Sequence, residues 1–188
     1  MALVALRAAM DATGAPWMVI GGVAVIAHGV RRLTTDIDAT VRGDAIDVVE
    51  LLAVLERHGI EPRIADAVGF AAQSLVLLLR HVATGVDLDV SLAWSGFEHG
   101  ALASRAERLF GRVRVPMATA QSLIVYKAIA GRPRDLQDLE ALLVLHPTAS
   151  GPLRSDIQAL ADLAGAPELV DGFDEAVRRA SGAKPRKR

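Results

Sequence analysis

Residues 86–92 read Val-Asp-Leu-Asp-Val-Ser-Leu, an unbroken alternation of apolar and polar side chains. Only an extended strand puts positions i, i+2 and i+4 on one face, so this segment has an apolar face and an acidic one. The same period places Asp36 and Asp38 on one face of a second β-type stretch, 36–41. Like charges held side by side repel each other unless a cation lies between them. A glycine pair, Gly21-Gly22, precedes the second stretch at the start of a helical segment. Backbone N–H groups there can come close to a bound anion. An anion cradle next to carboxylates suited to a divalent metal is what the handling of a nucleoside triphosphate requires.

The bulk properties narrow the remaining classes. A chain of 188 residues fits one domain, or one domain with a small helical extension. Apolar residues make up 52% of it but aromatics only 4%, which favours close-packed helices over an aromatic-rich β-sandwich. The net charge of −1 gives no global field toward nucleic acid or membrane. Any nucleic-acid contact needs a local patch such as Arg105, Arg108, Arg112 and Arg114, which reads more simply as an exposed helix face and strand edge. The absence of cysteine removes disulfides, zinc–thiolate sites and thiol nucleophiles, and fits a cytoplasmic location. The first residues read as an amphipathic helix and not a signal peptide. Arg80 and His81 end the apolar run 75–79, so no segment reaches the length of a membrane span.

Spacing predicts a helix over 2–13, stopped by Thr13-Gly14-Ala15-Pro16, and a strand over 17–20. A helix then runs from the glycine pair to about His28, with Gly29 just past its end. Further helices are expected over 45–58 and 97–109, and strands over 74–81, 86–92 and 113–115, with Ala83-Thr84-Gly85 turning a hairpin. Beyond that only helical periods remain: 119–130, 133–145, 152–164 and 166–180. The expected class is α/β (α+β), a small mixed sheet flanked by helices. Its parts would be a core over 1–116, helices over 117–181 packing over the cleft, and a disordered basic tail over 182–188.

Several motifs are excluded. There is no G-x-G-x-x-G, no Walker G-K-[ST] and no EF-hand spacing. His28, His58, His81, His99 and His146 are scattered without metal-ligand spacing, and Trp17 and Trp94 read as core or rim. If the strand 86–92 neighbours 36–41, three acids converge, and hard oxygen ligands of that kind suit Mg²⁺ or Mn²⁺. The competing reading is a solvated polar sheet face.

The order of parts carries more than any one of them. Gly21-Gly-Val-Ala, then Arg32-Leu-Thr-Thr-Asp36-Ile-Asp38, then an Asp on a later strand, resembles the minimal nucleotidyltransferases of the polymerase-β superfamily. It looks most like the branch of the AbiEii-type toxins of type IV toxin–antitoxin systems. Lys127-Ala-Ile-Ala-Gly-Arg-Pro-Arg-Asp-Leu-Gln-Asp138 resembles that family's later Lys…Arg…Asp-x-x-Asp motif. The resemblance covers roughly residues 15–145 and implies a nucleotidyltransferase fold with a C-terminal helical part.

By position, the resemblance implies that Asp36, Asp38 and Asp89 bind Mg²⁺ or Mn²⁺ and are catalytic, with Asp87 the competitor for the third place. Gly21 and Gly22 would admit the triphosphate to the backbone, with Thr35 an added donor. Arg32 and Lys127 would neutralise phosphate charge. Each has a structural alternative, Arg32 in an ion pair and Lys127 among core residues. Asp135, in a first helical turn, suits the helix dipole. The implied activity is transfer of a nucleoside monophosphate from an NTP to an acceptor hydroxyl, on a tRNA 3′ end or a protein side chain. An antitoxin protein is the implied partner. The alternative is an inactive protein of the same fold that binds nucleotide or a partner protein.

Overall fold

A computed structural model describes residues 2–147 and 150–182. The chain forms two units, one of Met1–Ala27 and Arg32–Ala118, the other of His28–Arg31 and Thr119–Arg188. The basic tail beginning at Lys184 lies outside the described residues.

The first unit is built on seven strands: β1 (Trp17–Val19), β2 (Asp36–Arg42), β3 (Ile60–Pro62), β4 (Val76–His81), β5 (Val86–Ala93), β6 (Ala106–Phe110) and β7 (Val113–Met117). They form one mixed sheet in the order β3-β4-β5-β2-β1-β7-β6. β2 lies parallel to β5, and β1 to β7, while the other neighbours are antiparallel. Five helices accompany the sheet: α1 (Ala2–Thr13), α2 (Gly21–Ala27), α3 (Val48–Arg57), α4 (Ala67–Ser74) and α5 (Gly96–Ala103).

The core follows from the strand period. Ile37, Ala39 and Val41 of β2 stand beside Leu88, Val90 and Leu92 of β5, and Leu77 and Leu79 of β4 continue the stripe. All eight are buried. Each fully buried aliphatic side chain contributes roughly 1.5–3 kcal/mol over an exposed one. This apolar face fixes the register, because a slip of one residue would bury the aspartates. Helix starts are set locally: Asp47 accepts N–H bonds from Val49 and Glu50, and Ser95 with Glu98 forms a reciprocal capping box.

Two expectations are corrected. The helix expected over 97–109 stops at Ala103, and Ala106–Phe110 forms β6, turning through Gly111 (φ +61°) to pair with β7. Its residues are mostly exposed, so the sequence carries no buried stripe to mark it; the ladder to β7 decides its form. Arg108 and Arg114 consequently lie on opposite faces of that hairpin, since Arg108 pairs with Val115 and Leu109 with Arg114. The second correction is the strand expected from Ser74. Ser74 ends α4, capped by Leu75 in a left-handed conformation (φ +57°), and the strand begins at Val76. Two elements lie where none was expected: the short β3, which pairs with β4, and α4, which precedes β4. No described helix is long and apolar enough to cross a membrane.

The second unit holds α6 (Ala120–Ala130), α7 (Pro133–Leu145), α8 (Ser150–Ala164) and α9 (Glu168–Gly182). Leu123, Ile124, Leu139, Leu142, Ile157 and Phe173 are fully buried there. His28 and His146 meet edge to face at 5.3 Å, and a ring nitrogen of His146 lies 2.8 Å from the His28 carbonyl.

Among these helices lies a buried ionic cluster. Lys127 Nζ reaches Asp135 Oδ1 at 2.7 Å and Asp138 Oδ2 at 3.1 Å, and Arg132 also pairs with Asp135. Burial alone would push the Asp135 carboxyl up, but hydrogen bonds and charge from Arg132 and Lys127 outweigh it and hold it below the ordinary carboxylate range. A carboxyl lowered by folding stabilises the fold above its unfolded value and loses that contribution as pH falls through the folded value. Asp135→Asn is therefore expected to lose about 3 kcal/mol at pH 7, the low end for a broken buried pair because Lys127 keeps Asp138. The deficit should shrink below about pH 4, where the wild-type carboxylate also protonates. Urea unfolding across pH 2.5–7 checks both.

Candidate active site

The parallel pairing of β2 with β5 sets Asp36 beside Asp87 and Asp38 beside Asp89. All four project from the polar face of the sheet, so the expected adjacency of the two strands is observed. Asp36, at the start of β2, accepts a hydrogen bond from Thr34 Oγ1 at 2.6 Å. Asp38 Oδ2 accepts the Gly22 N–H at 3.4 Å, and the Asp38 carbonyl accepts the Ile20 N–H at 2.9 Å. The loop between α2 and β2 is thus tied to Asp36, and the start of α2 to Asp38.

The glycine pair is explained by the crowding of this corner. Gly21 has φ +58°, and a Cβ there would lie 2.5 Å from Asp38 Cγ. A Cβ on Gly22 would lie 2.9 Å from Thr34 Cβ and 3.1 Å from an Arg32 side-chain nitrogen. No side chain fits at either position without displacing the residues that shape the site. Arg32 donates from Nε to the Leu33 carbonyl at 3.2 Å. Thr35 lines a recess of about 270 Å³ with Asp36, Arg63, Gly85, Asp87 and Asp89.

Arg63 has no motif around it in the sequence, yet it is the cation at the centre of this recess. Its guanidinium pairs with Asp89 Oδ1 and lies 3.3 Å from Asp87 Oδ2. Asp87 has a second cation, Arg80, its direct cross-strand partner on β4, at 2.7 Å. The two β5 carboxylates therefore differ. The hydrogen bond from Arg80 leads in holding the Asp87 carboxyl below its ordinary range. Burial pushes the Asp89 carboxyl up; Arg63 partly offsets this, and the charges of Asp36 and Asp87 add to the push.

Lys127 lies in the helical unit, engaged with Asp135 and Asp138 as described above. The donors around β2 and β5 are all hard carboxylate oxygens, which in kind suit Mg²⁺ or Mn²⁺. Their present arrangement is not that of a closed ligand shell: among the described residues no three acidic or histidine side chains come together closely enough to hold one ion. Asp89 is turned to Arg63 instead.

No family model and no curated protein matches the sequence. Solved structures are similar in fold. The antibiotic-resistance factor ANT(2'')-Ia, determined in solution, is 18% identical, with 88% of this chain and 92% of that chain covered and a TM-score of 0.62. A crystal structure of ANT(2'')-Ia in complex with adenylyl-2''-tobramycin is 21% identical, covers 94% of each chain and has a TM-score of 0.51. An antigenic nucleotidyltransferase-like protein from Paracoccidioides brasiliensis, at 13% identity, 90% and 88% coverage and a TM-score of 0.47, is too loosely similar to bear on this chain. At these identities the likeness shows the fold: a mixed sheet flanked by helices, of the nucleotidyltransferase type.

The crowding at Gly21 makes a measurable coupling. Gly21→Ala is expected to lose about 1–3 kcal/mol of stability through its left-handed backbone and the clash with Asp38. In an Asp38→Ala background the same substitution should cost about 1 kcal/mol less, which a double-mutant cycle by chemical denaturation measures.

Proposed function

We propose that the protein is a metal-dependent nucleotidyltransferase that moves a nucleoside monophosphate from an NTP to an acceptor hydroxyl. One observation carries this reading: Asp36 and Asp38 stand in parallel register with Asp87 and Asp89, on a sheet of the same fold as ANT(2'')-Ia. Asp36, Asp38 and Asp89 would hold Mg²⁺ or Mn²⁺, and Asp89 is favoured over Asp87 because Arg80 already compensates the latter. The ion, when bound, supplies charge neutralisation at the reacting phosphate and its leaving group.

The chain's own groups then have distinct tasks. Gly21 and Gly22 let the backbone come close to the triphosphate, and Arg32 and Thr35 are its side-chain donors in the same unit. The acceptor oxygen bonds to the α-phosphorus as the bond to the bridging β-phosphate oxygen breaks, and pyrophosphate departs. The hydroxyl proton passes to a carboxylate of the cluster. Positioning and electrostatics supply most of the catalysis.

Two acceptor classes have support. The Arg-x-Thr-x-Asp-x-Asp segment, similar to that of AbiEii-type toxins, favours a tRNA 3′ end or a protein hydroxyl, with an antitoxin as partner. The adenylyl-2''-tobramycin bound to ANT(2'')-Ia favours a small hydroxylated molecule. Incubation with each α-³²P-labelled NTP and Mg²⁺ or Mn²⁺, with tRNA, protein or aminoglycoside as acceptor, separates them. Transfer should appear with one class and fall at least about a hundredfold in Asp36→Ala and in Asp38→Ala. Metal-dependent nucleotide binding without transfer to any class would replace the enzyme with a binding protein of the same fold.

A further inference from the structure

Arg63 follows directly on β3, where its backbone N–H donates to the Leu78 carbonyl at 2.9 Å. The main chain is thereby anchored to β4, and the side chain alone reaches across to β5. Its guanidinium joins Asp87 and Asp89, with about a quarter of the side chain still exposed to solvent. Asp87 keeps Arg80 if Arg63 leaves. Asp89 keeps no cation: among the described residues Arg63 is the one that pairs with it. Asp89 also faces the like charges of Asp36 and Asp87. An uncompensated carboxylate there would be costly, so the position calls for one positive charge at all times.

We propose that Arg63 is a built-in counter-ion that competes with the divalent cation for Asp89 and turns to the triphosphate when the cation takes its place. The inference rests on the nucleotidyltransferase reading and adds to it a positioning residue. The exchange keeps Asp89 paired with a cation throughout. A guanidinium that has lost a carboxylate finds an equivalent partner in a phosphate, since its planar fork bonds both in the same way. A lone cation is therefore bound weakly, whereas cation and nucleotide together give every charged group a partner. The side chain thus discourages idle metal loading and rewards loading of the metal–nucleotide complex.

The test measures two affinities on the full chain, neither of them an activity. Free Mn²⁺ is followed by electron paramagnetic resonance without nucleotide, and ATP binding by calorimetry with Ca²⁺. Arg63→Gln should bind Mn²⁺ about tenfold more tightly than wild type and ATP about tenfold more weakly, each the factor for one charge-assisted hydrogen bond. Arg80→Gln, which removes a cation from Asp87 only, should change Mn²⁺ affinity less than about twofold. Circular dichroism confirms that each variant is folded. A fall in both affinities in Arg63→Gln would make Arg63 merely structural and overturn the proposal. Equal tightening in Arg80→Gln would reduce it to general charge and overturn it too, as would an unchanged Mn²⁺ affinity in Arg63→Gln. These outcomes leave the nucleotidyltransferase reading standing. Absence of Mn²⁺ binding in every variant, with or without ATP, would overturn both.

Discussion

The parallel pairing of β2 with β5 is the constraint on which the rest of the first unit depends. It performs two jobs at once. On one face it lines up Ile37, Ala39 and Val41 with Leu88, Val90 and Leu92, and on the other it lines up Asp36 and Asp38 with Asp87 and Asp89. The apolar face supplies the free energy that holds the carboxylates together against their repulsion. Neither strand could carry this arrangement alone. The acids are tolerable because the opposite side of the same peptide backbone is fully buried.

Much of this was legible because it obeys a period of two. The alternation in 86–92 gives the strand and its faces without reference to any neighbour, and the observed β5 spans Val86–Ala93. Helical spacing likewise marks α7, α8 and α9, whose buried residues recur on one side of each helix. What was not legible depends on contacts between distant residues. Ala106–Phe110 is mostly exposed and has no stripe of its own, so only its ladder to Val113–Met117 makes it a strand. Arg63 is one arginine after a proline, and nothing within several residues hints that a cross-sheet pair awaits it. The glycine pair was legible as a close-approach site. What approaches it in the structure is the carboxylate of Asp38 and the side chain of Thr34.

The two ionic clusters make an instructive pair. In the helical unit, Lys127 answers Asp135 and Asp138 where almost no water reaches, and the net effect is a carboxyl more acidic than usual. In the sheet unit, Arg63 answers Asp89 at a partly open recess, and the net effect is a carboxyl less acidic than usual. The first arrangement closes its charges upon themselves. The second leaves charge imperfectly balanced where solvent and solutes can enter, which is the condition a binding site needs.

The register of β2 on β5 also bears on how the chain acquires its shape. Thr40 and Ser91, facing each other across these strands, are 51 residues apart in sequence. Closing a loop of that length costs entropy before any buried contact repays it, and parallel pairings of this kind form slowly. During synthesis the carboxylates of β2 emerge well before those of β5, while the hairpin of β4 and β5 can form locally as soon as both strands are free. The acidic recess is therefore a late product of folding. A chain caught before that step presents two aspartates on a strand not yet joined to β5, with neither the recess nor the arginine that balances it.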